Sequence, residues 1–202
     1  MKPSPSRLFA VRHGETEWNT LGRFQGLADT SLSPRGHIQV IACAEQLQPL
    51  LLQGGVKGAT SVYSSPLRRA RQSASMLCDR LGFDDQQTRV DKRLSEMSFG
   101  KWEGLTTLEV KARYPEERRA RKIDRWNFAP SGGESPDSVA QRMAAFLADL
   151  PSSGTAVIVA HSGNIRALFH LLGGMPRDEA LRTEVPHDAV FIWDGARFCL
   201  SK

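Results

Sequence analysis

The sequence has little cysteine and no long apolar run. Its three cysteines, Cys43, Cys78 and Cys199, lie far apart and form no C-x-x-C pair. This spacing argues against a disulfide framework, a zinc site or a redox pair, and the apolar neighbours of Cys43 and Cys78 predict buried, inert thiols. No stretch approaches the roughly 20 apolar residues of a membrane span, and the N-terminus lacks the apolar segment of a secretion signal. We therefore expect a cytoplasmic protein without a membrane partner.

The composition is that of an ordinary globular protein with a basic charge balance. Hydrophobic residues make up 40% of the 202 residues and charged residues 24%, so we predict one domain over residues 1–202. The segment MKPSPS, residues 1–6, is expected to be a flexible terminus. The net charge of +5 favours an anionic partner, which nucleic acid and small phosphorylated compounds both provide. Composition alone leaves these two partners open.

Short apolar runs alternate along the chain with segments of helical periodicity. Because strands separated by helices usually pair in parallel, this pattern predicts an α/β protein with a mostly parallel sheet flanked by helices. The four predicted strands are Leu8–Val11, Thr60–Tyr63, Thr155–Ala160 and Ala189–Trp193.

Three amphipathic helices are predicted from apolar residues at steps of three and four positions. The third of them begins at a cap formed by Ser135 or Asp137. Their apolar positions are Ile38, Ile41, Ala42 and Leu47 in the first, Leu67, Ala70, Ala74, Leu77 and Leu81 in the second, and Val139, Met143, Phe146, Leu147 and Leu150 in the third. Residues 100–135 break the alternation with the charged run RYPEERRARKIDRW and the turn-forming PSGGES. We predict an inserted helical lid over about 100–135.

Polar clusters follow three of the predicted strands directly. Arg12-His13-Gly14 follows the first strand, residues 64–69 (SSPLRR) follow the second, and residues 161–164 (HSGN) follow the third. Ligands of open α/β sheets bind at the carboxyl ends of the strands. We therefore expect three segments that are distant in sequence to bring two histidines and several arginines to one edge of the sheet.

This set of residues suits phosphoryl transfer. The reaction needs a nucleophile, cations that hold the phosphate oxygens, and an acid for the leaving group. A histidine can attack phosphorus when one ring nitrogen is unprotonated and a hydrogen bond holds the other. Arginine presents a planar, charged fork that matches phosphate oxygens, so clustered arginines can replace a metal ion. We accordingly predict neither a metal site nor a cofactor.

Several histidines and arginines receive no role from their positions. His37, His170 and His187 are interpreted as structural, because a lone histidine is more often structural than catalytic. The basic run Arg118–Arg125 lacks interleaved aromatic residues, and is interpreted as a solvated helical face rather than an RNA-binding surface. An alternative is that some of its arginines attract a second negative group on a substrate.

Four blocks of the sequence resemble the histidine phosphatase superfamily, in the branch that contains cofactor-dependent phosphoglycerate mutase. They occur in the order and spacing of that family. The blocks are RHGETEWN (12–19), SSPLRRARQSA (64–74), RLSEMSFGKWEG (93–104) and VIVAHSGNIRAL (157–168). The resemblance implies the three-layer phosphoglycerate mutase-like fold.

The resemblance also implies a role for individual residues. His13 would be the phosphorylated nucleophile, His161 would stabilise the transferring group, and Glu96 would protonate the leaving group. The substrate-binding residues implied are Arg12, Asn19, Gln25, Gly26, Arg69 and Ser162.

Two assignments within this set involve a choice or a departure from the family. In S-P-L-x-R the matching arginine is Arg69 rather than Arg68. Ser162 stands where the family usually has glycine directly after the second histidine, so the local turn is expected to differ although a backbone N–H remains. The position of the acid varies among relatives, and the fallbacks for Glu96 are Glu15, Glu17 and Glu103.

Three activities compete. Water attacks phospho-His13 in a phosphatase, a bound sugar-acid phosphate takes the group in a mutase, and a non-catalytic relative only binds phosphorylated partners. Mutases of the family are longer and shield the phosphoenzyme from water, so a shorter lid favours a metal-independent phosphatase of a small phosphorylated metabolite. The oligomeric state is not readable from the sequence, which leaves a homodimer open.

The lid region is expected to set the choice of substrate. The EMSFGKWEG block and the following GGES turn resemble those of α-ribazole phosphatase and the broad-specificity phosphatases. Four aromatic residues there either line a site for an aromatic or hydrophobic leaving group or pack the lid against the sheet. These residues are Phe99, Trp102, Trp126 and Phe128.

Overall fold

A computed structural model describes residues 7–53 and 60–201, so the terminus predicted to be flexible, residues 1–6, lies outside the described residues. Within them, six strands form one sheet. The strands are β1 (Arg7–Arg12), β2 (Thr60–Ser64), β3 (Arg89–Val90), β4 (Thr155–Ala160), β5 (Val190–Trp193) and β6 (Phe198–Leu200). Their order across the sheet is β3-β2-β4-β1-β5-β6.

The sheet is parallel through four strands and antiparallel at one edge. β1 and β2 both pair in parallel with the central β4, and β3 pairs in parallel with β2. β5 runs antiparallel to β1 and to β6. The mostly parallel sheet and all four predicted strands are confirmed, with ends that shift by at most one residue. β3 and β6 were not predicted because two or three residues are too few to show a periodicity.

Helices cover both faces of the sheet, because side chains of a strand point alternately to opposite sides. Leu8 and Ala10 of β1 belong to a core that includes Met143 and Ile165 on one face. Phe9 and Val11 belong to a second core on the other face. The helices are α1 (Glu17–Thr20), α2 (Pro34–Gln53), α3 (Arg68–Leu81), α4 (Thr107–Arg113), α5 (Pro115–Ile123), α6 (Pro136–Asp149), α7 (Ser162–Leu171) and α8 (Arg177–Arg182).

The three predicted amphipathic helices exist as α2, α3 and α6, and Ser135 rather than Asp137 caps α6 by accepting a hydrogen bond from the Ser138 N–H. The apolar face predicted for α2 is wrong at its first residue, since Ile38 is 68% exposed. The buried stripe of α2 consists of Val40, Cys43, Ala44, Leu47 and Leu51. The stripe is rotated because Cys43 packs as an apolar residue, and its burial raises the pKa of the thiol to about 12.

Cys43 and Cys78 are both buried, as predicted, whereas Cys199 is exposed. Among residues 7–53 and 60–201, no helix is long and apolar enough to cross a membrane.

The region 100–135, where a helical segment was predicted, contains the short 3₁₀ turn Gly100–Trp102 followed by α4 and α5. Another 3₁₀ turn, Lys92–Leu94, precedes it. Trp102 is 1% exposed and its ring lies 5.6 Å from both Phe24 and Phe128. Trp102 therefore packs the segment against the loop that follows α1. That this segment acts as a lid, and that residues 1–202 form one domain, stay predictions.

Candidate active site

The carboxyl ends of β1, β2 and β4 bring the three predicted polar clusters together. His13 follows β1 and donates its backbone N–H to the carbonyl of Ala160, while Ser65 follows β2 and donates to Val159, both at 3.0 Å. These bonds continue the parallel ladder one residue beyond each strand. They place the ring centroids of His13 and His161 5.0 Å apart.

The hydrogen bonds of His13 determine which ring nitrogen is free. Nδ1 lies 2.7 Å from the Gly14 carbonyl, which only accepts, so Nδ1 carries the proton. The Arg69 Nε donates to Nε2 at 3.3 Å, which requires a lone pair on Nε2. Burial, with the positive charges of Arg69 and Arg12, holds the pKa of His13 well below its usual range. Nε2 is therefore unprotonated and nucleophilic at neutral pH.

Arg69 and Arg12 are held in place by backbone carbonyls rather than by carboxylates. Arg69 is fully buried and donates to the carbonyls of Ala28 and Gly26 at 2.7 and 2.8 Å. Arg12 donates to the carbonyl of Val185 at 2.7 Å, and its buried Nε has no partner among the described residues. Burial lowers the pKa of Arg12 to about 10. Neither guanidinium group is in an ion pair with a carboxylate in the described part of the chain, although Glu96 acts on both through its charge.

Arg68 occupies a different environment from Arg69. Its side chain is exposed, and its backbone N–H donates to the Asp29 carboxylate at 2.7 Å. The choice of Arg69 over Arg68 as the arginine of the site therefore agrees with the geometry.

His161 is fully buried and is held by Ser65. Its Nε2 lies 2.8 Å from the Ser65 hydroxyl, which in turn accepts from the Leu67 N–H at 3.3 Å. Burial and the charges of Arg69 and Arg12 hold the pKa of His161 well below its usual range. Its Nδ1 is buried and has no partner within the described part of the chain. A neutral imidazole with one unused nitrogen thus lies against the His13 ring.

The Glu96 carboxylate is oriented by the start of α7. Oε1 accepts from the N–H groups of Met97 and Gly163 at 2.9 and 3.2 Å, and Oε2 accepts from the Ser162 hydroxyl at 3.3 Å. Gly163 has no room for a Cβ, which would collide with Glu96 Oε1. Ser162, the departure from the family pattern, thus contacts the predicted acid.

His13 lines a cavity of about 120 Å³ together with Arg12 and Arg69. Of the four candidate acids, Glu96 lines this cavity, whereas Glu15, Glu17 and Glu103 do not. The predicted site residues around this cavity, which we call the phosphoryl cavity, are Arg12, His13, Asn19, Gln25, Gly26, Arg69, Glu96 and Ser162. His161 has no exposed surface and is not among the residues that line this cavity, but its ring lies 5.0 Å from that of His13.

A second cavity of about 70 Å³ shares Glu96, Phe99 and Ser162 with the first one. Arg121 and Arg125 line this second cavity, so these two residues depart from the solvated face interpreted for Arg118–Arg125, while Arg119 and Lys122 of the run are exposed. Gly163 and Arg166 of α7 line the same cavity. Trp126 and Phe99 also line it, whereas Trp102 is a packing residue.

The structure adds two residues that sequence reasoning did not assign, Ser65 and His187. His187 donates from Nδ1 to the backbone carbonyl of His13 at 2.6 Å, and the two rings lie 5.4 Å apart. Burial lowers the pKa of His187 to about 4, so the ring is neutral. His187 is 174 residues from His13, and no local pattern signals such a contact.

The other two histidines have contacts outside the site. Nδ1 of His37 donates to the Ser33 carbonyl and Nδ1 of His170 donates to the Met175 carbonyl. Among residues 7–53 and 60–201, no group of three or more His, Cys, Asp or Glu side chains could hold a metal ion.

A sheet whose parallel strands present two neutral histidines, two arginines and a carboxylate at one edge defines a class of phosphoryl-transfer proteins. Residues 8–196 match the histidine phosphatase superfamily (branch 1). The chain belongs to this superfamily, as the sequence blocks predicted.

The comparisons with known proteins include both phosphatases and mutases. The chain is 42% identical over 186 residues to glucosyl-3-phosphoglycerate phosphatase of Mycolicibacterium vanbaalenii, covering 85% of this chain and 76% of that one. It is 30% identical over 183 residues to a 2,3-bisphosphoglycerate-dependent phosphoglycerate mutase of Mesorhizobium japonicum, covering 88% and 86%. These relatives support a phosphoric monoester hydrolase, with mutases as the alternative.

Two solved structures have the same fold. A mycobacterial glucosyl-3-phosphoglycerate phosphatase in complex with VO3 superimposes with a TM-score of 0.74 at 34% identity, covering 96% of both chains. The α-ribazole phosphatase of Shigella flexneri superimposes with a TM-score of 0.78 at 27% identity, covering 96% of this chain and 94% of that one. The predicted three-layer phosphoglycerate mutase-like fold is confirmed.

Proposed function

We propose that this protein is a metal-independent phosphatase that hydrolyses a small phosphomonoester through a phospho-His13 intermediate. The observation that carries the proposal is the unprotonated Nε2 of His13, held beside Arg69. Arg12 adds a second guanidinium group at the same cavity. The two guanidinium groups supply the positive charge that a metal ion supplies in other phosphatases.

In the first step, the Nε2 lone pair of His13 attacks phosphorus and the bond from phosphorus to the leaving oxygen breaks. Glu96, in its protonated form, gives its proton to that oxygen. Since two backbone N–H groups occupy Oε1, Oε2 is the atom that carries the proton. The products of the step are phospho-His13, a Glu96 carboxylate and the free alcohol.

In the second step, water attacks phosphorus and the bond from phosphorus to Nε2 breaks. The Glu96 carboxylate takes the proton from the attacking water, which restores the acid for the next turnover. Asn19, Gln25, Gly26 and Ser162 line the same cavity and would contact phosphate oxygens or the leaving group. The step releases inorganic phosphate and regenerates neutral His13.

The substrate proposed is a small phosphorylated metabolite. The 42%-identical relative is named for glucosyl-3-phosphoglycerate, which makes that phosphomonoester the first one to assay with this chain. A mutase, in which the alcohol of a bound phosphorylated acid replaces water in the second step, is the alternative that the relatives support. Cytoplasmic location, the absence of a nucleic-acid partner and a homodimer stay predictions.

The test of the proposal is hydrolysis of p-nitrophenyl phosphate in the presence of EDTA and of vanadate. We expect turnover to be unchanged by EDTA, because arginines rather than a metal hold the phosphoryl group. We expect inhibition by vanadate, which adopts the five-coordinate geometry of the phosphoryl centre. Activity that disappears with EDTA and returns with magnesium would overturn the mechanism. Transfer from a bisphosphate primer to phosphoglycerate, without net hydrolysis, would establish the mutase instead.

Ser65 is proposed to position His161 by fixing its tautomer. We assign the Ser65 hydroxyl as the donor to Nε2 of His161, because the hydroxyl accepts from the Leu67 N–H and its own proton then has an acceptor. The His161 proton then sits on Nδ1, whose N–H has no partner among the described residues and would be available to a phosphoryl group carried by the adjacent His13 ring.

Substitution of Ser65 by alanine removes this hydrogen bond, so we expect kcat to fall about tenfold, the value of one net hydrogen bond. The direct measurement is the ¹⁵N chemical shifts of the His161 ring, which report the protonated nitrogen and should change in Ser65→Ala. Ser64→Ala is the matched control, because Ser64 is equally buried but donates to the Ser65 carbonyl. Unchanged ring shifts in Ser65→Ala would contradict the assigned tautomer.

A further inference from the structure

The second cavity is lined by three arginines and by the Glu96 carboxyl group, which it shares with the phosphoryl cavity. Arg121, Arg125 and Arg166 line it, together with Phe99 and Trp126. In the part of the chain that the structure describes, none of the three forms an ion pair with an acidic side chain. This differs from Arg119 on the same helix, which pairs with Glu116.

The three guanidinium groups are held close to one another although they repel. Burial and the positive charges of Arg125 and Arg166 lower the pKa of Arg121. Burial and the charge of Arg125 also lower the pKa of Arg166, which Glu96 raises. Placing like charges together in a half-buried cavity costs free energy, and a bound ligand of opposite charge offsets that cost.

Two of these arginines are oriented by contacts that do not neutralise their positive charge. The Arg121 guanidinium lies 5.7 Å from the centroid of the Trp102 ring, and Trp102 is itself buried. The Arg166 Nε donates to the backbone carbonyl of Thr183 at 3.1 Å. An aromatic ring and a carbonyl orient a guanidinium group without neutralising it. The arrangement is therefore a built cationic cavity.

The position of this cavity indicates which part of a substrate would enter it. It shares Glu96, Phe99 and Ser162 with the phosphoryl cavity, and Glu96 is the group assigned to protonate the leaving oxygen. Atoms of the substrate just beyond that oxygen therefore enter the second cavity. Its volume of about 70 Å³ restricts it to a small anionic group, and a carboxylate is such a group, which guanidinium groups bind through charge-assisted hydrogen bonds.

We propose that Arg121, Arg125 and Arg166 form a subsite for a carboxylate on the leaving group, so that the substrates of this protein are phosphomonoesters of hydroxy acids. This inference rests on the proposed function, because it places the scissile phosphate at His13. Guanidinium groups recognise a carboxylate through charge-assisted, often bidentate hydrogen bonds. Phe99 and Trp126 would then contact the carbon atoms between the two anionic groups.

The test compares two ligands that differ at one position, 3-phosphoglycerate and glycerol 3-phosphate. The first has a carboxylate where the second has a hydroxymethyl group. Their dissociation constants are measured by calorimetry on full-length protein that carries His13→Asn, so that no turnover occurs during the titration. We expect 3-phosphoglycerate to bind about tenfold to a hundredfold more tightly, the range for hydrogen bonds to a charged group.

Arg121→Gln and Arg125→Gln, each added to His13→Asn, are expected to lower this preference about tenfold or more. The matched control is Arg119→Gln, which removes the same charge from α5 at an exposed position and should leave the preference unchanged. Changes in overall stability affect both ligands and cancel in the ratio. Circular dichroism of each variant checks that the fold is retained.

Two results would overturn the inference. One is that 3-phosphoglycerate binds no more tightly than glycerol 3-phosphate, or does not bind at all. The other is a preference that Arg121→Gln and Arg125→Gln leave as large as in the control. Both are distinct from a failure of the proposed function, which is read from turnover of p-nitrophenyl phosphate by the unsubstituted protein.

Discussion

Replacement of His13 by asparagine is expected to lower kcat by on the order of 10⁴-fold or more for every phosphomonoester, because it removes the nucleophile. The amide of asparagine can still reach the Gly14 carbonyl, which now accepts from His13 Nδ1. It has no lone pair that can replace Nε2 in attack on phosphorus. The measurement is steady-state turnover of p-nitrophenyl phosphate.

Trapping of the intermediate tests the same prediction chemically. The unsubstituted protein, quenched in alkali during turnover of a ³²P-labelled substrate, should retain acid-labile label, since phosphohistidine has this property. The His13→Asn variant should retain none. His37→Asn is the matched control, because His37 is exposed, lines neither cavity and is bonded to the Ser33 carbonyl. Label that persists without His13 would show that another residue is the nucleophile.

Replacement of Glu96 by glutamine is expected to lower kcat for alkyl phosphates by about 10²- to 10⁴-fold, the usual contribution of a general acid. Glutamine has nearly the same shape and keeps an acceptor for the N–H groups of Met97 and Gly163. It cannot deliver a proton to an alkoxide. The measurement is release of inorganic phosphate from glycerol 3-phosphate.

The leaving group distinguishes loss of acid catalysis from a general loss of structure. p-Nitrophenolate is a stable anion that departs without a proton, so Glu96→Gln should reduce phosphorylation of His13 by p-nitrophenyl phosphate far less than by an alkyl phosphate. The rate of the first step is read in a single turnover. Glu17→Gln is the control, since Glu17 is exposed and does not line the phosphoryl cavity. An equal loss of single-turnover rate with both substrates would show that Glu96 is not the general acid.

The sequence predicted the layout of the site because that layout follows from local features. Each polar cluster directly follows a short apolar run, and parallel strands present their carboxyl ends at one edge of the sheet. The strand ends at Arg12, Ser64 and Ala160 therefore had to meet. The choice of Arg69 over Arg68 also came from the sequence, and the buried and exposed positions of the two side chains agree with it.

Other expectations failed where a pattern fits more than one arrangement. The apolar residues of α2 permit two neighbouring faces, and contact with the sheet selected the one that contains Val40 and Cys43 rather than Ile38. The arginines of α5 have the spacing of a solvated face. Only the tertiary structure brings Arg121 and Arg125 to the cavity that Glu96 lines.

By itself, the sequence predicted the family, the four main strands and the residues that could carry phosphoryl transfer, with Glu96 as the first choice of acid. The tertiary structure alone decided which ring nitrogen of His13 is unprotonated, which hydroxyl contacts His161 and which arginines line the second cavity. The physical reason is the sequence separation of these contacts, 56 residues from Arg69 to His13 and 96 from Ser65 to His161. Such hydrogen bonds form only after helices and strands have packed on one another, and the local periodicity of apolar residues does not indicate them.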